Sequence, residues 1–249
     1  MSVLLLALVA GAVIGLALGA LGGGGSVLAV PALIYLLGFT PVAATTAGLV
    51  IVAVTTATAL PAHARGGHVR WRTGLLFAAA GIGPAMLGGL VAARLPAAVL
   101  TAAFALVALV AAVRMLRPRP GPPDAVPTVR PGRAAAAGAG LGAVTGVLGV
   151  GGGFLAVPAL VSVLGLRMRA AVGTSLLVIT LNSVAALALR AGTADGLDWA
   201  VIAPFAGAAV LGAWDGRRLA TKVSGQALQR IFALVLLGVA GFMLIGSAV

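Results

Sequence analysis

The sequence predicts an all-α polytopic membrane protein made of two inverted-topology repeats. Composition, a duplicated glycine-rich segment and the placement of the basic residues predict it. Of the 249 residues, 61% are hydrophobic and 8% are charged, and the mean hydropathy is +1.20. Soluble domains carry about a quarter charged residues, so a water-soluble fold would not bury this much apolar surface. The apolar runs are long and lack the period-two alternation of membrane β-strands, which indicates helices.

A glycine-rich segment occurs twice. Residues 15–33 read GLALGALGGGGSVLAVPAL, residues 142–160 read GAVTGVLGVGGGFLAVPAL, and 12 of the 19 aligned positions are identical. Consecutive glycines break a helix and leave backbone groups without intrahelical partners. In lipid such groups are tolerated only when they are buried in protein or line a cavity. Interrupted apolar segments at matching places of two halves indicate the binding site of a secondary transporter.

The first repeat covers residues 1–114. It is predicted to start with a hairpin over 3–38, which is too long for one span and breaks at Gly22–Gly25. Three transmembrane helices follow at 42–62, 74–93 and 97–113, with a basic loop from His63 to Arg72 and a tight turn at 94–96. Residues 115–133 are rich in proline and arginine and are predicted to form a stiff cytoplasmic linker.

The second repeat, residues 134–249, is predicted to follow the same plan. Its interrupted hairpin covers 134–166, its three spans cover 170–189, 199–216 and 231–248, and a basic segment lies at 217–230. Trp71 of the first repeat aligns with Trp199 of the second after a one-residue slip. The two halves therefore have corresponding elements throughout.

The basic residues predict the orientation. If each interrupted segment returns to the side on which it began, 14 of the 16 basic residues share one side, in segments 63–72, 114–133, 167–169 and 217–230. If each segment crosses once, the division is 9 to 7. Because basic loops stay in the cytoplasm, the hairpin arrangement is favoured. It inverts the second repeat and leaves both termini outside a cytoplasmic membrane, which the arginine-, alanine- and glycine-rich composition suggests is bacterial.

The glycine runs and the polar side chains within the spans are the predicted substrate-binding groups. Free amide N–H groups at the start of a half-helix attract an anion, and hydroxyl and amide groups add donors without fixed charge. The alternatives are close packing through small residues and hydroxyl bonds to the helix's own backbone. The predicted binding residues are Gly24, Gly25, Ser26, Thr45, Thr46, Gly151, Gly152, Gly153, Thr174, Ser175 and Asn182.

Two details of these segments have more than one interpretation. Each half-helix begins either after Ser26 or Gly153, or at Pro31 and Pro158, because proline suits a first helical turn. The glycines at four-residue spacing are predicted to serve helix packing rather than binding. They are Gly11, Gly15, Gly19, Gly138, Gly142 and Gly146.

Ionisable residues give little sign of catalysis or ion coupling. The chain has no glutamate, four aspartates and no cysteine, and Asp215 is predicted to form an interfacial ion pair beside Arg217 and Arg218. His63 and His68 are interpreted as loop residues. No cofactor site, no metal site and no nucleophile–base pair is predicted, so the sequence does not indicate an enzyme. The net charge of +12 is ascribed to cytoplasmic loops rather than to nucleic-acid binding.

These motifs resemble the TauE/SafE-type sulfite exporter family, also called toluene-sulfonate uptake permeases. The resemblance rests on the doubled glycine block with its Val-Pro-Ala-Leu ending and on the sequence from Ala171 to Leu176, and it covers nearly the whole chain. The first repeat departs from it, with Thr46-Ala47-Gly48 where the second has Gly173-Thr174-Ser175. The resemblance implies a transporter of sulfur-containing or organic anions, such as sulfite or sulfonates.

The sequence thus predicts an anion transporter that works by alternating access at a midplane site, with a small anion and the lipid bilayer as its partners. No intramembrane carboxylate is available for ion coupling, which favours export. The export of an anion from a cell that is negative inside is downhill by about 2.3 kcal/mol per charge per 100 mV of membrane potential. The alternative is a passive channel for a small anion or neutral solute. Saturable flux that is stimulated by counter-substrate would argue against a channel.

Overall fold

The computed structural model describes residues 2–92, 94–116, 129–148, 153–190 and 197–248. Within these residues the chain is helical and contains no β-strand, which confirms the predicted all-α class. The helices of the described chain are α1 (Ser2–Leu21), α2 (Gly24–Pro31), a π-helical turn (Ala32–Leu36), α3 (Pro41–Arg65), α4 (Trp71–Ala92), α5 (Ala97–Leu116), α6 (Pro131–Leu148), α7 (Gly153–Ser162), α8 (Met168–Leu189), α9 (Trp199–Lys222) and α10 (Gly225–Ala248).

Six of these helices are long and apolar enough to cross a bilayer, by the length and composition of the described residues. They are Val3–Leu21, Val42–Arg65, Trp71–Ala92, Val99–Leu116, Met168–Ala188 and Trp199–Lys222. Large apolar side chains on them face outward, including Leu87, Leu90 and Leu211, each about two-thirds exposed. Apolar surface on this scale is expected where lipid, rather than water, surrounds the protein. The chain is therefore a multi-pass membrane protein.

Two predicted basic loops are mostly helical. Helix α3 continues to Arg65, so His63 lies in its last turn and the prediction that His63 is a loop residue is wrong. Helix α9 continues to Lys222 and α10 begins at Gly225, so little of 217–230 is loop. Basic side chains favour a helix C-terminus because they complement its dipole, which explains both extensions.

The first glycine run ends α1 and begins α2. Gly22 has φ +73°, a left-handed conformation that costs glycine nothing. A Cβ atom on Gly25 would lie 2.5 Å from the Ile14 carbonyl oxygen and from Leu18 Cγ. The start of α2 therefore lies directly against the last turns of α1. In the second copy, α6 ends at Leu148 and α7 begins at Gly153, with residues 149–152 outside the described part.

The prolines lie inside these short helices and not at their starts. Pro31 ends α2, and the chain continues as the π-helical turn because proline has no N–H to give to the preceding turn. Pro158 lies in the middle of α7. At 1.5 Å per residue, α2 with its π-turn extends about 20 Å, less than the hydrocarbon thickness of about 30 Å.

Two helix pairs have backbones in direct contact, α1 with α9 and α4 with α6. A Cβ atom on Gly15 or Gly19 would lie 2.6 Å from the Cα of Ala209 or Ala213, respectively. On α6, a Cβ atom on Gly142 would lie 2.7 Å from Gly81 Cα. Residue numbers rise together along both pairs, so the paired helices run parallel. The prediction that glycines at four-residue spacing serve helix packing is confirmed.

Helices α3 and α8 cross each other at the centre and run antiparallel. Thr46 near the start of α3 lies beside Arg190 at the end of α8, whereas Thr56 further along α3 lies beside Thr180. Their apolar windows are 56% buried, the highest share among the six candidate spans. The two helices therefore place polar side chains inside the bundle.

Candidate functional site

The two glycine-rich segments meet inside the bundle. A Cβ atom on Gly23 would lie 2.9 Å from the carbonyl carbon of Gly153 and 3.1 Å from Phe154 Cα. Only a residue without a side chain allows the backbones at the starts of α2 and α7 to approach this closely. The repeated segments, which are far apart in sequence, thus form one contact, which we call the glycine junction (Gly22, Gly23 and Gly153).

The glycine junction lies part way along the neighbouring full-length helices. Gly19 of α1 packs on Ala213, while α9 continues to Lys222. Gly146 of α6 packs on Ala85, while α4 continues to Ala92. Both interrupted helices therefore end before the helices they pack against. The backbone groups at the breaks lie beside α9 and α4 rather than level with the ends of those two helices.

The predicted glycine-run residues have different outcomes. Gly24, Gly25 and Ser26 form the first turn of α2, and no side chain caps that turn at Gly23. The first amides of a helix have no intrahelical acceptor. Gly153 is the first residue of α7 and is buried. Gly151 and Gly152 lie outside the described residues.

Thr174 and Ser175 lie in the first turns of α8 and are fully buried. The Arg70 backbone N–H donates to Thr174 Oγ1 over 3.0 Å, so this hydroxyl holds the chain that enters α4. Ser175 Oγ donates to the Val172 carbonyl over 2.8 Å. A Cβ atom on Gly22 would lie 2.5 Å from Ser175 Oγ, so Ser175 borders the glycine junction.

Thr45 and Thr46 lie elsewhere, at the opposite end of the bundle. The Arg190 guanidinium donates to their hydroxyl oxygens over 3.1 and 3.4 Å, and both hydroxyl groups donate to the Val42 carbonyl. Along α8, Arg190 is about 22 Å from Ser175 at 1.5 Å per residue. The structure thus does not bring these threonines to Ser175, and it joins Arg190 at the end of α8 to the start of α3.

The middle of α8 carries Asn182, whose Oδ1 atom is buried without a hydrogen-bond partner in the described part of the chain. An amide turned by 180° presents an N–H donor at the same place. Two residues earlier on α8, the hydroxyl oxygen of Thr180 lies 2.9 Å from that of Thr56, which joins α8 to α3. Thr55 and Thr58 donate to carbonyls of their own helix, as their alternative interpretation expected.

The ionisable residues follow the predictions in one case. Arg218 Nη1 and Asp215 Oδ1 lie 3.5 Å apart with both side chains at least 70% exposed, which confirms that Asp215 forms an ion pair with Arg218. In the part of the chain that the structure describes, no three histidine, cysteine, aspartate or glutamate side chains are grouped as metal ligands would be.

The sequence did not indicate the contacts of Thr180 and Arg190, because the partners of these residues lie more than 100 residues away in the chain.

Comparison with known proteins identifies the family. Residues 7–243 match the model of the family described as sulfite exporter TauE/SafE. Two relatives, each named a probable membrane transporter protein, come from Xylella fastidiosa strains 9a5c and Temecula1. They are 36% and 35% identical over alignments of 242 and 241 positions, and the alignments cover 94% of this chain and 92% of each relative. No solved structure matches the chain. The chain therefore belongs to the sulfite exporter TauE/SafE family, whose members are membrane transporters and not enzymes.

Proposed function

We infer that the protein is a secondary transporter that exports a small sulfur-containing or organic anion by alternating access at a site between two inverted repeats. The observation that carries this proposal is the glycine junction, where Gly23 and Gly153 bring the two interrupted segments into contact. The first-turn amides of α2 and α7 supply donors to an anion there. The amide of Asn182 and the hydroxyl groups of Thr174 and Ser175 are the side chains proposed to help.

Helix packing supports the repeats. Helix α1 of the first repeat runs parallel to α9 of the second. The helices that correspond to them in the other repeat, α6 for α1 and α4 for α9, also run parallel to each other. The corresponding helices α3 and α8 run antiparallel. A two-fold axis in the membrane plane produces this pattern and inverts one repeat against the other. We therefore divide the chain into repeat 1 (1–114), a linker (115–133) and repeat 2 (134–249).

The charges support the orientation. Three basic groups, at the end of α3, the start of α8 and the end of α9, lie at one end of the bundle, and we assign this end to the cytoplasm. Both termini then lie outside the bacterial cytoplasmic membrane.

The chemistry of the described site favours an anion moving down its potential. With four aspartates and no glutamate in the whole chain, a carboxylate relay for ion coupling is not proposed. The hydroxyl protons of Thr45, Thr46 and Ser175 are donated to backbone carbonyls. Donors to the anion therefore come first from backbone amides, and a hydroxyl contributes only after it rotates away from its own helix.

Sulfite efflux from proteoliposomes tests the proposal. Purified protein is reconstituted with internal sulfite, and efflux is followed at fixed pH while a potassium gradient with valinomycin sets the membrane potential. We expect saturable efflux that increases when the interior is negative and is stimulated by sulfite on the opposite side. Flux that neither saturates nor responds to counter-substrate would indicate a channel, and flux indifferent to the potential would contradict electrogenic export.

A further inference from the structure

A small cavity lies at the basic end of the bundle, where α1, α3, α8, α9 and α10 meet. Its polar lining consists of His63, His68, Arg169, Arg217 and Thr221, and Ala20 and Val172 contribute apolar walls. Its volume is about 50 Å³, on a measure by which one water molecule needs about 10–15 Å³. It thus has room for about four non-hydrogen atoms, the size of a small oxyanion. We call it the cationic cavity.

In the described part of the chain, the positive charge of the cationic cavity has no acidic counterpart in its lining. No aspartate lines the cavity within the described part of the chain. Asp215, which is close in sequence to Arg217, pairs with Arg218 on the exposed surface. The Arg169 guanidinium donates to the carbonyls of Thr221 and Val223 over 3.3 Å, which holds it at the end of α9. Two guanidinium groups beside low-dielectric walls concentrate an anion at this place.

His63 supplies the observation that points to a ligand. Its side chain is 7% exposed, and its Nε2 atom is buried without a hydrogen-bond partner among the described residues. Its ring is hydrogen-bonded to the backbone of Gly19. Because the Gly19 N–H is used within α1, its carbonyl accepts, and the ring must donate through Nδ1. The neutral ring of this cavity-lining residue then keeps Nε2 as an acceptor that lacks a donor, which costs about 1–3 kcal/mol when left unfilled.

His68 lies on the loop after α3 and completes the polar lining. Burial lowers the pKa of His68, and the nearby guanidinium groups of Arg169 and Arg217 lower it further. His68 is therefore harder to protonate than a free histidine, and the permanent charges in the lining are those of the two arginines. The other walls, from α1 and α10, contribute the uncharged Ala20 and Leu228.

We propose that the cationic cavity is a loading site for an oxyanion that shares one proton with His63 Nε2. The guanidinium groups of Arg169 and Arg217 bind the charged oxygens, and the protonated oxygen donates to Nε2. A hydrogensulfite-type monoanion brings this proton with it, whereas a sulfite-type dianion takes one proton from water on binding. This proposal rests on the proposed function, because it takes the anion in the cavity to be the anion that is transported.

The position of the cavity agrees with loading. Val172 lines the cavity, and a Cβ atom on Gly22 would lie 3.2 Å from Val172 Cα. Ala20, which also lines the cavity, precedes Gly22 by two residues. The cationic cavity and the glycine junction are thus neighbours that share Val172.

Calorimetry of sulfite binding to the purified full-length protein tests the site. Arg217→Gln removes a cavity charge, and Arg218→Gln removes the same charge from an exposed position on the same helix. We expect the sulfite Kd to rise about 10- to 100-fold in Arg217→Gln, the value of one charge-assisted hydrogen bond, and to stay unchanged in Arg218→Gln. Equal affinities in the two variants would overturn the assignment.

Titration in buffers of different ionisation enthalpy tests the shared proton. We expect wild-type protein at pH 8 to take up about one proton per sulfite dianion and to bind methanesulfonate, which has no such proton, at least tenfold more weakly. This comparison needs no variant, so it stands even if His63→Gln fails to fold. If His63→Gln folds, proton uptake should disappear. Equal wild-type affinity for both anions, or uptake that persists in His63→Gln, would refute the proton-sharing site.

Flux measurements separate this proposal from the proposed function. If sulfite binds as expected but wild-type proteoliposomes show no sulfite flux, the cavity stands as an oxyanion site and the transport proposal fails. If flux occurs while Arg217→Gln binds sulfite as Arg218→Gln does, the cavity assignment fails and the transport proposal stands.

Discussion

Gly142→Ala tests the close packing of α6 against α4. A Cβ atom at this position would lie 2.7 Å from Gly81 Cα, whereas carbon atoms in ordinary contact are about 3.5–4.0 Å apart. Helices α4 and α6 would have to separate by about 1 Å, which also weakens the contacts of Gly138 and Gly146 on adjacent turns. Overpacking of this kind costs about 1–3 kcal/mol. We therefore expect a loss of about 2 kcal/mol in the free energy of unfolding.

Gly140→Ala is the matched control, two residues away on the same helix. Nothing lies within 4 Å of the Cβ atom it would add, and alanine favours a helix over glycine by up to about 1 kcal/mol. The assay is SDS-titrated unfolding in detergent micelles, followed by tryptophan fluorescence. We expect Gly140→Ala to equal or exceed the wild type in stability. If Gly142→Ala is within about 0.5 kcal/mol of Gly140→Ala, the parallel glycine contact is not the packing we describe.

Three further predictions use the same assay. Arg190→Gln loses two charged hydrogen bonds to threonine hydroxyls and should lower the free energy of unfolding by about 1–2 kcal/mol. A loss no larger than that of Arg94→Gln, at the exposed turn, would contradict this. Thr180→Val should cost about 0.5–1.5 kcal/mol through its lost α3–α8 contact, and an effect no larger than that of Thr58→Val would contradict this. The lowered pKa of His68 means that the folded chain binds a proton less readily than the unfolded chain. The free energy of unfolding should therefore fall as pH drops below about 6.5. If the free energy of unfolding of His68→Gln depends on pH as that of the wild type does, this prediction is refuted.

Local patterns predicted most of the fold. The long apolar runs determine where helices form, and the glycine run at Gly22 contains the one conformation that ends α1. The four-residue spacing of Gly15 and Gly19 indicated a packing face but not its partner, because the partner Ala209 lies almost 200 residues further along the chain. Helix ends were less predictable, since basic side chains extend α3 and α9 into segments that composition alone assigns to loops.

The candidate site was only partly predictable. Ser175 lies beside the glycine junction, as the motif suggested, but Thr45 and Thr46 lie beside Arg190 at the other end of α8. Their placement depends on the antiparallel crossing of α3 and α8, which no local pattern records. The cationic cavity was not predictable for the same reason, because His63 and Arg217 come from opposite halves of the chain and meet only when helices from both repeats pack.

Sulfite efflux by Gly23→Ala tests most directly the claim that the two glycine-rich segments form the transport site. Gly23 has φ −66°, so alanine is tolerated by its backbone, and the three atoms nearest to the added Cβ atom belong to the start of α7. Gly207→Ala, which has nothing within 4 Å of the new atom, is the control. The account predicts that folded Gly23→Ala loses saturable sulfite efflux in proteoliposomes while Gly207→Ala retains it. Equal efflux from the two variants would contradict the account.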